Sequence, residues 1–316
     1  MKSRLISELN NDELNDYYSS KLYLQVVLND YLFTKTSINF YQEINDNSHK
    51  NYSIIIFDNN LPIMVTYAFC KNETFSFFNM PIKVHSIDDN ILAYRCLFEK
   101  LKLIFKQNKF AELIFESNIF INSKFHSFSG SKIKKEIKIN LSLDEVSLKQ
   151  NLRKSYKSLV NWGKKNLELI FIDYNNSDRS LFNEFKKLHF DASGRKTRSD
   201  KSWEIQFKAI ECNEAFLVLS KYENKLVGGT YVLLGLKNAY YGVGAYDRDL
   251  MKQNIPIGHF PLFSSIIYAK KLKKTSFDLG YIYSDSIDEK EKNIFNFKNG
   301  FSNLLHSSVI NNFKIK

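Results

Sequence analysis

The 316-residue chain contains only three cysteines, Cys70, Cys96 and Cys212, and no C-x-x-C pair. Such isolated cysteines argue against a disulfide framework and favour a reducing compartment. The six histidines show no H-x-x-x-H or H-x-E spacing. The sequence therefore predicts no metal site.

Long apolar segments are also missing. No stretch approaches the roughly 18 residues that a membrane-spanning helix needs. The first residues, MKSRLISELNNDELNDYY, are polar and charged, which is unlike a signal peptide. We therefore expect a cytoplasmic protein.

Several catalytic signatures are absent as well. The chain has no G-x-S-x-G, no P-loop and no G-x-G-x-x-G that opens a helix. These absences disfavour a serine hydrolase of the nucleophile-elbow type and the common nucleotide-binding loops.

Positive charge, in contrast, is abundant. The formal net charge is +11 and the sequence pI is about 9.2. This charge favours polyanionic or phosphorylated partners, such as a nucleotide, tRNA or an anionic membrane surface. A general Lys/Asn/Ile-rich composition is the alternative explanation.

The order of predicted elements is similar in the two halves of the chain. Each half has a hairpin, further strands, and helices with apolar residues at helical spacing. A basic helix over 143–165, ending near Gly163, connects them. The pattern predicts an α/β (α+β) fold with two domains, residues 1–142 and 143–316, whose largely antiparallel or mixed sheets are flanked by helices. A single large mixed sheet is the alternative.

The segment HFDASGRKTRSDKSW carries the first candidate site. Arg195 and Arg198 are three residues apart beside Ser-Gly, between two predicted helices. Their guanidinium groups could bind phosphate oxygens in bidentate fashion. The alternative is a solvated loop in which the cations pair with Asp191 and Asp200.

A second candidate site lies in the segment NIFNFKNGF. Lys298 emerges there from an apolar context, which would strengthen its attraction for a developing negative charge. A lysine at a helix end that extends to solvent is the alternative. His259, before a predicted helix, is a candidate general base or a capping residue. Of Tyr240 and Tyr241, alternation along a strand points one toward a core and the other toward a cleft or solvent.

Read in order, six segments of the second half resemble the Fem-type (FemAB-like) branch of the GNAT acyltransferase superfamily. The similarity spans roughly residues 145–305, and the F-K-x-G-F element and the arginine-containing helix-loop-helix are its most specific parts. The segments are NLRKSYKSLVNWGKK, LHFDASGRKTRSDKSWEIQ, AYYGVGAYDR, PIGHFPLFSSIIYAKK, FDLGYIYSD and IFNFKNGF.

The resemblance implies tandem GNAT-like domains with an acceptor cleft between them, and acyl or aminoacyl transfer to an amine. It places Lys298 at the active site as a stabiliser of negative charge. It places Arg198 near the phosphates of the acceptor, and Tyr241 in a strand that supplies tyrosines to the cleft.

The sequence departs from the family in two respects. It has no coiled-coil arm, and it lacks the GNAT pyrophosphate loop R/Q-x-x-G-x-G/A. QNIPIGHF is the nearest equivalent, so we expect the backbone N–H groups around Gly258, His259 and Phe260 to bind an acyl-CoA donor at a helix N-terminus.

These observations predict a cytoplasmic acyltransferase that forms an amide on an amino sugar of a nucleotide- or lipid-linked cell-surface glycan precursor. Lys298 and His259 are the expected catalytic residues, and Arg195, Arg198 and Tyr241 the expected acceptor-binding residues. One alternative is a peptidoglycan aminoacyltransferase that uses aminoacyl-tRNA. The other is a non-catalytic scaffold associated with RNA or with the inner membrane surface.

Overall fold

The computed structural model describes residues 1–88, 90–116, 126–302 and 304–315. Internal contacts divide the chain into two compact units. Unit 1 comprises Met1–Asn29, Tyr41–Lys134 and Ser308–Lys316, and unit 2 comprises Asp30–Phe40 and Lys135–Ser307. These units are defined by contacts alone, so the division into domains at residue 142 stays a prediction.

The described residues form eleven α-helices and fifteen strands. The α-helices are α1 (Asn11–Ser19), α2 (Lys21–Gln25), α3 (Lys35–Ile44), α4 (Ile91–Gln107), α5 (Glu145–Gln150), α6 (Lys154–Asn166), α7 (Arg179–Ser193), α8 (Asp200–Glu211), α9 (Arg248–Lys252), α10 (His259–Lys271) and α11 (Glu289–Asn299). The strands are β1 (Lys2–Leu5), β2 (Lys50–Asn51), β3 (Ile54–Asp58), β4 (Leu61–Thr66), β5 (Phe69–Lys71), β6 (Thr74–Ser76), β7 (Val84–Ser86), β8 (Glu112–Glu116), β9 (His126–Asn140), β10 (Glu168–Ile172), β11 (Ala215–Tyr222), β12 (Lys225–Leu234), β13 (Asn238–Tyr246), β14 (Ser276–Tyr283) and β15 (His306–Ile315).

Unit 1 contains two sets of paired strands. The first has the order β1-β3-β4-β7 with antiparallel pairs, and the second has the order β15-β8-β6-β5-β2 with one parallel pair, β6 with β8. The predicted hairpin turn lies between β3 and β4, where Asn59 and Asn60 have φ of +46° and +65°. Asparagine tolerates this left-handed conformation, which a two-residue hairpin turn requires.

Unit 2 is built on strands in the order β10-β11-β12-β13-β14. The pairs are antiparallel except that of β13 with β14, which is parallel. Alternate residues of β11 and β12 enter two separate cores, one with α7 and α8 and the other with α6, α10 and α11. The predicted α/β (α+β) class with largely antiparallel sheets is confirmed.

The single helix predicted over 143–165 is wrong. The segment forms α5 and α6, interrupted at residues 151–153. Gly163 does not end α6, which continues to Asn166. A Cβ atom at Gly163 would overlap with the side chain of Phe260, so the glycine permits the close approach of α6 and α10.

We expect Gly163→Val to destabilise the protein. The new side chain must displace Phe260 in a packed core, and overpacking of this kind costs about 1–3 kcal/mol. Ser158→Val is the matched control, because it puts the same β-branched side chain on an exposed position of α6. Thermal unfolding of both variants checks the prediction, and equal melting temperatures would refute it.

Within the described residues, no helix is both long enough and apolar enough to cross a membrane.

Candidate functional site

Strands β13 and β14 separate beside the candidate site. They pair only between residues 238–240 and 276–278, although they extend to Tyr246 and Tyr283. Gly280 lies two residues after Asp278, the last residue of β14 that pairs with β13, and has φ of +94°, a conformation that favours glycine. The two strands therefore diverge beyond these pairs, and we call the region between residues 241–246 of β13 and 279–283 of β14 the wedge.

Lys298, in the last turn of α11, extends to this wedge. Its Nζ lies 5.0 Å from the centroid of the Tyr241 ring, within the range of a cation–π interaction. A Cβ atom at Gly280 would lie 3.2 Å from Nζ, so the missing side chain leaves space for the ammonium group. Burial lowers the pKa of Lys298 to about 8, and the charge of Asp278 partly opposes this shift.

The two neighbouring tyrosines of β13 occupy different environments. Tyr241 is buried, and its hydroxyl forms a hydrogen bond with Tyr246, which in turn bonds Thr230 at 2.8 Å. Tyr241 therefore presents its ring, and not its hydroxyl group, to Lys298. Tyr240 is half-buried and stacks on Tyr31 with ring centroids 4.3 Å apart.

The hydroxyl group of Tyr240 lies beside the same glycine as Lys298. A Cβ atom at Gly280 would be 3.8 Å from this oxygen and 3.2 Å from Nζ. The ammonium group of Lys298 and the phenol group of Tyr240 thus lie next to the same space, which a side chain at position 280 would fill. Alternation along the strand predicted that Tyr240 and Tyr241 differ in environment. It could not show which of the two hydroxyl groups lies in the wedge. No sequence signal pointed to Tyr31 or Gly280.

His259 lies within an aromatic cluster at the start of α10. Its ring centroid is 4.5 Å from that of Tyr156 and 5.2 Å from that of Phe297. Burial lowers the pKa of His259 to about 4, although the Pro256 carbonyl partly opposes the shift. Nδ1 nevertheless has no partner with hydrogen-bond geometry in the described part of the chain. A base this weak is poorly matched to proton abstraction near neutral pH, so the surroundings favour a packing role.

The expected donor-binding residues lie at the N-terminus of α10. Gly258 is the N-cap residue, and it supplies no side-chain cap to this 13-residue helix. The side chain of Phe260 is directed toward Gly163 of α6. The three residues Gly258, His259 and Phe260 can thus offer backbone N–H groups, while two of their side chains serve packing.

Arg195 lines a groove between α7 and α8. The groove has a volume of about 480 Å³, and its other cations are Lys186, Lys187 and Lys196. Asp200 accepts ion pairs from Lys186 and Lys196, each at 2.8 Å, and these lower the pKa of the carboxyl group to about 2. Arg195 is exposed and forms no ion pair among the described residues.

Arg198 lies close to aromatic rings. Its Cζ atom lies 5.4 Å from the ring of Trp203 and 5.6 Å from that of Phe40. Burial, assisted by the charge of Arg198, lowers the pKa of His189 to about 4, so this histidine is neutral near pH 7. Asp200 thus pairs with Lys186 of α7 and Lys196 of the loop, whereas Arg198 lies over aromatic rings. The binding roles of both arginines stay predictions.

Comparison with known proteins finds similarity in structure and none in sequence. No protein-family model matches the chain, and no curated protein matches it in sequence. FemX is similar in structure, with a TM-score of 0.65 and 13% identity over 98% of this chain and 97% of FemX. L-PGS from Bacillus licheniformis has a TM-score of 0.61 and 12% identity over 96% and 91% of the two chains.

A tandem GNAT protein from the clavulanic acid biosynthesis pathway is also similar. Its TM-score is 0.50, at 9% identity over 91% of this chain and 96% of that protein. Identities this low concern the fold alone. The chain therefore shares its α/β fold with FemX, L-PGS and the tandem GNAT protein, which agrees with the two GNAT-like domains predicted from the sequence.

Proposed function

We propose that this protein is a cytoplasmic acyltransferase that forms an amide on an amino sugar of a nucleotide- or lipid-linked cell-surface glycan precursor. The position of Lys298 is the observation that carries this proposal. Its ammonium group lies in the wedge between β13 and β14, against the face of Tyr241 and beside Gly280. A cation in such a partly dry site can stabilise an oxyanion more strongly than it could in water.

In the proposed reaction the acceptor amine attacks the carbonyl carbon of a thioester or ester. The C–N bond forms and the C–S or C–O bond breaks, and the proton lost by the amine ends on the leaving sulfur or oxygen atom. Lys298 would stabilise the negative charge on the carbonyl oxygen during this step, and the phenol of Tyr240, which lies beside the same glycine, would donate a second hydrogen bond. The remaining contribution of the protein is the positioning of both substrates.

For the donor we propose acyl-CoA, bound through its phosphates at the N-terminus of α10. The missing side-chain cap at Gly258 supports this choice, because the first N–H groups of a helix need acceptors. To test the choice of donor, the purified protein and an acceptor are incubated separately with acyl-CoAs and with charged tRNAs. Mass spectrometry of the acceptor then shows which donor is used. Transfer from acyl-CoA is the expected result, and transfer from charged tRNA alone would exclude it.

The net charge of +11 favours a second candidate, an aminoacyltransferase that uses tRNA. Each phosphate contact in such a complex would contribute about 0.7–0.9 to the slope of log affinity against log salt concentration. We expect a shallow slope and no tight tRNA complex at physiological salt. A steep slope without acyl-CoA binding would favour the tRNA-dependent reaction, and the absence of any transfer would favour a scaffold.

The groove lined by Arg195 is proposed to bind the phosphates of the acceptor. Arg195→Ala should then raise the KM for the acceptor by on the order of tenfold, because charge-assisted hydrogen bonds to phosphate are lost. The KM for the donor and the melting temperature should stay nearly constant, since Arg195 is exposed. Steady-state kinetics with each substrate varied in turn checks this result.

Two further variants sharpen the test. Lys208→Ala, which removes an exposed cation elsewhere on α8, is the matched control and should leave the acceptor KM unchanged. Arg198→Ala should raise the acceptor KM, and it should also lower the melting temperature because Arg198 lies over Trp203. An acceptor KM that responds equally to Arg195→Ala and Lys208→Ala would remove the groove from the acceptor site.

A further inference from the structure

The first turn of α6 caps the C-terminal end of α11, the helix that carries Lys298. The backbone N–H of Arg153 donates to the carbonyl of Gly300 at 2.8 Å. The hydroxyl of Tyr156 donates to the carbonyl of Phe297 at 3.1 Å, and Nη2 of Arg153 donates to that of Asn296 at 3.2 Å. The last carbonyl groups of a helix lack hydrogen-bond donors within the regular helical ladder. Here Arg153 and Tyr156, at the start of α6, provide donors for them.

Packing reinforces these hydrogen bonds. A Cβ atom at Gly300 would overlap with the ring of Tyr156, so the glycine allows the ring to lie directly against the end of α11. The same ring contacts Phe301, with centroids 5.2 Å apart, and Arg153 lies over it at 5.1 Å. The residues on both sides of Lys298 are therefore held by α6.

The interruption between α5 and α6 makes this arrangement possible. Arg153 is the N-cap residue of α6, with the non-helical ψ of 139°, and its side chain forms no cap. Because the chain turns at this residue, both its N–H group and its guanidinium group can donate hydrogen bonds to the C-terminal end of α11. An uninterrupted helix over 143–165 would have engaged the N–H group of Arg153 in its own ladder.

We propose that Arg153 and Tyr156 are positioning residues that fix the end of α11, so that the Lys298 ammonium stays over Tyr241 and beside Gly280. The proposal rests on the catalytic role proposed for Lys298. A shift of about 1 Å in a reacting group can lower a rate about 100-fold, so a small displacement of α11 would have a measurable effect. The hydroxyl of Tyr156 donates to the carbonyl of Phe297, so Tyr156 would act on Lys298 through the backbone of α11.

The test compares two tyrosine-to-phenylalanine variants. Tyr156→Phe removes the hydrogen bond to Phe297 and keeps the ring. Tyr231→Phe removes an equivalent bond, from a buried hydroxyl to the carbonyl of Gln206 at 2.9 Å, in the other core of unit 2. Both variants should lose stability, but only Tyr156→Phe should alter Lys298.

Two readouts report on Lys298 separately. The first is kcat and KM, and we expect Tyr156→Phe to lower kcat about tenfold with little change in either KM. The second is the pH dependence of acetylation of Lys298 by acetic anhydride, followed by mass spectrometry of its peptide. We expect the midpoint to shift to higher pH in Tyr156→Phe, because a displaced ammonium group gains water, and to stay unchanged in Tyr231→Phe.

The outcomes separate the two proposals. An unchanged labelling midpoint and an unchanged kcat in Tyr156→Phe would overturn the positioning role, and so would equal changes in both variants. Arg153→Lys, which keeps the N–H donor and the positive charge but loses the guanidinium geometry, should shift the midpoint less than Tyr156→Phe. If the labelling midpoint shifts while Lys298→Met retains full activity, the positioning of the lysine stands and the catalytic role proposed for it fails. If the midpoint shifts and the unchanged protein transfers no acyl group from any donor, the positioning stands and the proposed function fails.

Discussion

Replacing Lys298 by methionine is expected to lower kcat by about 100- to 1000-fold, the usual effect of removing one oxyanion donor. Methionine preserves most of the volume and the apolar stem but removes the charge. Since the ammonium group is largely desolvated, with its pKa lowered to about 8, the variant should fold at least as stably as the unchanged protein. Kinetics together with thermal unfolding checks both halves of the prediction.

Lys290→Met is the control for this experiment. Lys290 lies in the first turn of α11 and is exposed, so its replacement tests the general effect of removing one lysine from the same helix. It should leave kcat unchanged. A Lys298→Met variant that keeps its full kcat, with normal melting behaviour, would remove Lys298 from the reaction.

Local patterns explain why much of unit 2 could be predicted from the sequence. The helix through Phe182 and Phe185 ends at Gly194, whose φ of +69° is the left-handed conformation that glycine adopts after a helix. The hairpin predicted for the second half lies between β11 and β12, and its turn residues Glu223 and Asn224 both have positive φ. Such features depend on neighbours in the chain, so the sequence carries them directly.

Features that depend on distant residues could not be predicted. Gly163 precedes two lysines in a pattern typical of a helix end, yet its function is to admit Phe260, about a hundred positions later in the chain. The break before α6 has no proline or glycine to mark it. Beside the break, Arg153 and Tyr156 donate hydrogen bonds to the end of α11, a contact between segments that are far apart in the chain.

The candidate site also combines features that the local sequence indicates with features that depend on distant residues. The apolar context of Lys298 in NIFNFKNGF indicated a partly buried lysine, and its pKa of about 8 fits that expectation. The sequence could not show that β13 and β14 diverge after three paired residues, because register is a property of the sheet. Nor could it show that Tyr31 stacks on Tyr240, since the two residues are far apart in the chain.

The pH dependence of the reaction should distinguish a cationic Lys298 from a basic one. If the ammonium form stabilises the oxyanion, kcat/KM should fall about tenfold per pH unit above the pKa of Lys298, which is about 8. If Lys298 instead acts as a base in its neutral amine form, the pH dependence should be the opposite, and kcat/KM should rise as the pH increases through 8. Rates measured from pH 6.5 to 10 with a fixed acceptor separate the two cases.

Lys298→Arg is the control for titration of the substrate amine, which also changes over this range. Arginine stays protonated, so the alkaline decrease should disappear in the variant, while any limb due to the acceptor should remain. A decrease above pH 8 that persists in Lys298→Arg would assign it to another group.

Stability should change with pH in the opposite direction to activity. Because the folded-state pKa of Lys298 is lowered from the ordinary value near 10.4, the unfolded chain binds more protons between about pH 8 and 10. The contribution of this lysine to the free energy of unfolding therefore rises with pH across that window. Subtracting the profile of Lys298→Met isolates the contribution of this group, because all other groups remain the same. A difference between the two profiles that stays flat from pH 8 to 10 would show that Lys298 is not desolvated, and the basis for its strong effect on a developing negative charge would be lost.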